Sequence, residues 1–142
     1  MDLTLTTSHI HPLLVHFPIA LIIVGCVAEF MALFNKEKKF YAEGALYLLV
    51  IGTLAAIPAV LTGIYMTEDP SGTAGNIRDL HETWAFISLT GGVVTMLIAT
   101  YTRMQDLHSS KWEWITGILY LFTTVAIGVT GYLGGVLTHN YL

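Results

Sequence analysis

His11 to Asn35 reads HPLLVHFPIALIIVGCVAEFMALFN, and Glu29 is its only charged residue. A run of this kind supplies the roughly 20 apolar residues that a helix needs to cross the hydrocarbon core. Three further stretches repeat the pattern. Gly44–Thr67, Thr83–Thr102 and Trp114–Leu142 contain no Asp, Glu, Lys or Arg. A backbone in lipid must satisfy its own N–H and C=O groups, so each stretch is expected to be a helix. The expected fold is all-α: an integral membrane four-helix bundle, up-down-up-down, in one domain over residues 1–142. Its helices are expected at about 11–35, 43–67, 79–102 and 112–138.

Composition agrees. The chain is 54% hydrophobic and 11% charged, where soluble domains carry about 25% charged residues. Its mean hydropathy is +0.67. The net charge of −4 and the lack of a long basic cluster exclude a nucleic-acid partner. The first segment does not read as a cleaved signal peptide, because MDLTLTTSHIH has no Lys or Arg ahead of the apolar run. Cys26, the single cysteine, has no internal disulfide partner and reads as a small core residue.

Lys and Arg set the expected orientation. Lys36, Lys38 and Lys39 lie between segments one and two, and Arg103 and Lys111 between three and four. Only Arg78 lies between two and three, among Glu68, Asp69, Asp79 and Glu82. The side with five of six basic residues is expected to be cytoplasmic. Both termini then face outward. Trp112 and Trp114 read as the inner aromatic belt, and Trp84 as an anchor on the outer side.

Along the chain, Pro12 suits a first helical turn, while Pro18 lies deeper and bends its helix. His11 is expected at or before the helix cap and His16 on the helix, about 140° away if the helix is straight. Glu29 is a functional candidate as an ionisable residue in a span, or snorkels to the inner interface. Gly52, Ala56, Ala59 and Gly63 form a small-residue face on segment two, where close helix packing competes with a flat cofactor. Asn76 or Asp79 is the expected cap of segment three. Ala85, Ser88 and Gly92 continue the face of His81. His139 shares a face with Gly135, Tyr132, Gly131 and Gly128, and close approach by another helix or a rigid group would explain those glycines.

Topology gathers the histidines. His9, His11, His16, His81 and His139 all fall on the expected outer side, and only His108 on the inner. Hydration accounts for His9 and His108. A polar side chain within a span needs a partner, so His16, His81 and His139 are the first candidate ligands and His11 the next. Imidazole serves iron, copper and zinc alike. A compact ion would want Cys, Asp or Glu as well. Haem needs axial histidines and a large apolar slot, which Gly63, Tyr65, Trp84, Ala85, Ser88, Gly131, Tyr132 and Gly135 are expected to line. The absence of C-x-x-C-H excludes covalent attachment. The preferred cofactor is therefore haem b, one or two groups, with copper or zinc as the alternative.

HPLLVHFPIAL, AAIPAVLTGIY, His81 and GYLGGVLTHN together resemble the bacterial membrane family called domain of unknown function 2231. The matching positions are His11, Pro12, His16, Pro18, His81, Gly131, Tyr132, Gly134, Gly135 and His139. The resemblance implies a small four-helix membrane protein, sometimes found with redox proteins, and supplies no reaction; the expected location is the bacterial inner membrane. The expected function is that of a cytochrome b-like electron-transfer protein. Its partners would be the lipid bilayer, a redox protein or quinone, or other membrane subunits. It is not expected to be an enzyme on its own. A non-haem copper or zinc protein and a cofactor-free structural membrane subunit stand as alternatives.

Overall fold

The computed structural model describes residues 7–35, 37–65, 70–105 and 110–141. They form four α-helices: α1 Thr7–Phe34, α2 Lys38–Tyr65, α3 Thr73–Met104 and α4 Ser110–Tyr141. Each contains a segment long and apolar enough to cross a bilayer. At 28 to 32 residues the helices span about 42–48 Å, more than the roughly 30 Å hydrocarbon core. Their ends therefore extend past the apolar stretches. That excess is why α2 begins at Lys38 rather than at 43 and α3 at Thr73 rather than at 79. Charged residues form helix as readily as apolar ones once a neighbouring helix supports them.

Two local expectations change with these boundaries. The turn into α3 is made by Gly72, whose φ of 69° suits a residue without Cβ. Asn76 lies inside the helix, its backbone N–H donating to the Gly72 carbonyl at 3.1 Å, and neither Asn76 nor Asp79 is the cap. In α1 the helix starts at Thr7, so Pro12 is an interior proline and not a first-turn one.

Short connections make chain neighbours antiparallel. α1 packs on α2 and α3 on α4 as the two most intimate pairs, and the α1–α4 and α2–α3 contacts close the bundle. α1 and α3 thus face each other across it, as do α2 and α4. One end holds the start of α1 and the end of α4, with His11 and His81; the other holds Glu29 and Arg103.

Large apolar side chains point outward: Leu13, Phe17, Val24, Leu97 and Phe122 are exposed. Small and hydroxylated ones fill the centre, among them Ala45, Ala59, Ala99, Thr53, Thr95 and Thr123. Lipid is as apolar as leucine, so helices gain by close packing and interhelical hydrogen bonds rather than by hiding hydrophobic surface. The α2 face of small residues does this against α1. A Cβ on Gly52 would stand 2.9 Å from Ile22 Cγ1, and Ala56 and Ala59 are buried.

The α3–α4 seam uses hydroxyls. Ser88, Thr95 and Thr102 recur every seven residues on α3, and Thr116, Thr123 and Thr130 on α4. Seven residues are close to two turns, so each trio lies on one stripe. Ser88 and Thr130 share a hydrogen bond of 3.1 Å, Thr95 and Thr123 one of 3.2 Å. The same antiparallel register sets Thr102 opposite Thr116. Each of the four also reaches the carbonyl four residues back on its own helix; with one proton per hydroxyl, one member of each pair donates to that carbonyl and the other donates to its partner. No hydroxyl of these two bonded pairs is left unsatisfied in the apolar interior.

Candidate functional site

His11 lies four residues inside α1, on the stripe that also carries Ile22 and Glu29, eleven and eighteen residues on. Those separations are close to three and five whole turns. Ile22 and Glu29 are buried, so the stripe points His11 into the bundle. His81 approaches from α3. The two imidazoles meet across the bundle with ring centroids 6.2 Å apart and planes at 85°. Because α1 and α3 are not adjacent, only side chains of this length bridge them.

The other diagonal makes room. On α2, a Cβ at Gly63 would stand 3.0 Å from His11 Cε1. On α4, a Cβ at Gly134 would stand 3.2 Å from His81 Nε2. Each ring therefore lies against bare backbone of the helix beside it. His11 Nδ1 is also 3.1 Å from the hydroxyl of Thr62, which donates to the carbonyls of Pro58 and Ala59 at 2.9 and 3.0 Å. Arg78, one turn before His81, forms an ion pair with Glu82 at 3.7 Å. It carries the only basic side chain of the α2–α3 connection and its flanks.

The remaining candidates are distributed differently. His16 is exposed, and its Nδ1 donates to the Pro12 carbonyl at 2.6 Å. His139 is exposed in the last turn of α4. Neither shares the inward position of His11 and His81, so the geometry weights His11 above them. His11 is also on the helix and not at its cap. Gly135 is exposed, and a Cβ added there would meet nothing within 4 Å. Tyr132 is 72% exposed, and Gly131 packs on Ile19. Tyr65, 79% exposed, ends α2. Trp84 and Ala85 are half-buried, and the Trp84 carbonyl accepts the Ser88 hydroxyl at 2.7 Å. Ser88 belongs to the α3–α4 seam. The His9 side chain, His108, Glu68 and Asp69 lie outside the described residues.

Sequence alone does not single out Thr62 or the role of Gly134. Gly134 is one of four glycines in a short run, and only the register of α4 against α3 distinguishes it. Thr62 carries a fainter signal: it precedes Gly63 and follows Pro58 by four residues.

At the opposite end the same diagonal is tied by charge. Arg103 Nη2 donates to Glu29 Oε2 at 3.1 Å and to the Ala42 carbonyl at 2.8 Å, and Nη1 donates to the Ala99 carbonyl at 3.1 Å. Glu29 is 5% exposed, so it turns inward instead of snorkelling to an interface. Lys38 and Glu113, 2.6 Å apart, join α2 to α4 there. Pairing is what lets a charge persist in an apolar bundle.

Among the described residues, no three His, Cys, Asp or Glu side chains are grouped to hold a metal ion. No curated protein and no solved structure shows significant similarity to the chain. Residues 7–142 match the family described as predicted membrane protein, DUF2231. The four apolar helices, the lipid-ready outer surface and that match agree: the chain is a multi-pass membrane protein and belongs to the DUF2231 family.

Proposed function

We propose that the protein is a membrane electron-transfer protein that holds a b-type haem through His11 and His81. One observation carries the reading. The two imidazoles face each other on one diagonal, and the helices of the other diagonal present glycines to them. The ring centroids are 6.2 Å apart, close enough for both imidazoles to reach one ion.

A two-histidine site favours haem over copper or zinc. A bare ion needs about four ligands, most of them from protein, whereas a porphyrin brings its own four nitrogens and asks only for axial groups. His11 and His81 would hold the haem, which would supply one-electron transfer when bound. Arg78 offers a cation for a propionate beside the site. One inward histidine pair corresponds to one haem. The distribution of Lys and Arg supports an orientation with this end and both termini outside the bacterial inner membrane. A redox protein or a quinone on that side is the partner this arrangement suits.

The test is the absorption spectrum of detergent-purified protein, oxidised and reduced. The reading expects a Soret band and a reduced α-band at about one haem per chain. Copper or zinc in metal analysis without those bands would replace the proposal with a non-haem site.

A further inference from the structure

We propose that Thr62 is the positioning residue of this site: it holds His11 as the tautomer with the proton on Nδ1, leaving Nε2 as the metal-binding nitrogen. The inference rests on the two-histidine reading above and adds which nitrogen binds and what fixes it.

A threonine hydroxyl has one proton and two lone pairs. That of Thr62 lies 2.9 Å from the Pro58 carbonyl and 3.0 Å from the Ala59 carbonyl. Both carbonyls can only accept and both lie nearer than Nδ1, so the proton is assigned to one of them. This is the bond back to the preceding turn that Ser and Thr make in helices. The hydroxyl oxygen then presents a lone pair to His11 Nδ1, 3.1 Å away. Two lone pairs cannot satisfy each other, so Nδ1 carries the hydrogen. A neutral imidazole has one N–H, so Nε2 is the bare nitrogen.

The neighbouring residue completes the arrangement. Gly63 lets the ring lie flat enough on α2 for Nδ1 to reach Thr62, since a Cβ there would press on Cε1 at 3.0 Å. A ligating histidine that gives its second N–H to an oxygen acceptor is fixed in tautomer and orientation, and its basicity as a ligand rises. His16 also has Nδ1 engaged, by the Pro12 carbonyl, but it is exposed and has no imidazole opposite. The bond to Thr62 and the partner on α3 together set His11 apart.

The tautomer can be read without any cofactor. The full chain, labelled with ¹⁵N on histidine and kept in detergent at about pH 8 where imidazole is neutral, gives separate Nδ1 and Nε2 shifts, with His11→Ala identifying the His11 signals. The expected result is a protonated Nδ1 and a bare Nε2. Thr62→Val should move His11 toward the other tautomer, and Thr62→Ser should restore it. Haemin titration should follow the same order, with Thr62→Val weaker by about 10–100-fold and Thr62→Ser close to the parent. If Thr62→Val does not fold, Thr62→Ala carries the same readout. A protonated Nε2 in the parent protein, or a tautomer unchanged when the hydroxyl is removed, would overturn the assignment. A parent protein that takes up no haem would overturn the haem reading alone.

Discussion

Removing one partner of the Glu29–Arg103 pair leaves the other charge inside an apolar bundle. Breaking a buried pair in this way costs about 3–5 kcal/mol, because the surviving charge keeps its desolvation penalty and loses its attraction. Arg103→Met should therefore lower the thermal midpoint in detergent more than Lys38→Met does, since the Lys38 side chain is 48% exposed and such pairs contribute about 1 kcal/mol or less. The double variant Glu29→Leu with Arg103→Met should recover much of the loss. A double variant as unstable as Arg103→Met alone would contradict this expectation. The same pair shows what a sequence leaves open at the residue scale. Glu29 stands out as the only charge in its span, but its partner lies 74 residues away, and nothing local in the chain joins them.

At the scale of the helices, existence is legible in the sequence and orientation only partly so. Absence of charge marks four spans because each charge in lipid is costly. It does not mark the ends, which continue as helix into polar sequence. Nor does hydropathy say which side of a helix faces inward, since these helices are apolar all round. Small residues replace it as the guide, with mixed success. On α2 they mark the buried face correctly. On α4 Gly131 and Gly134 face neighbouring helices, while Gly128 and Gly135 face out. The spacing of His11 and His16 requires that at most one point inward, but the choice between them depends on the start of α1 at Thr7.

This contrast yields a test on adjacent residues. Gly134→Val should push His81 aside and lower haem content severalfold, whereas Gly135→Val should leave it unchanged. Equal effects would mean that α4 is rotated from this register. The hydroxyl seam gives a second test. A double-mutant cycle on Thr95→Val and Thr123→Val should show a coupling of about 0.6 kcal/mol, the usual size for hydrogen bonds between membrane helices. Purely additive effects would mean that the two hydroxyls do not couple.

Across the whole molecule, both ends of the α1–α3 diagonal are joined, by imidazoles at one and an ion pair at the other, about 33 Å apart along α3. Between those ends α2 and α4, each packed on both of these helices, fill the sides. In the proposed arrangement the inward histidines, and not the exposed ones, would hold the haem. The most direct measurement is haem per chain in four purified single variants. His11→Ala and His81→Ala should each lose nearly all haem, and His16→Ala and His139→Ala should keep it. Full retention in the first two, with loss in either of the second two, would contradict the assignment.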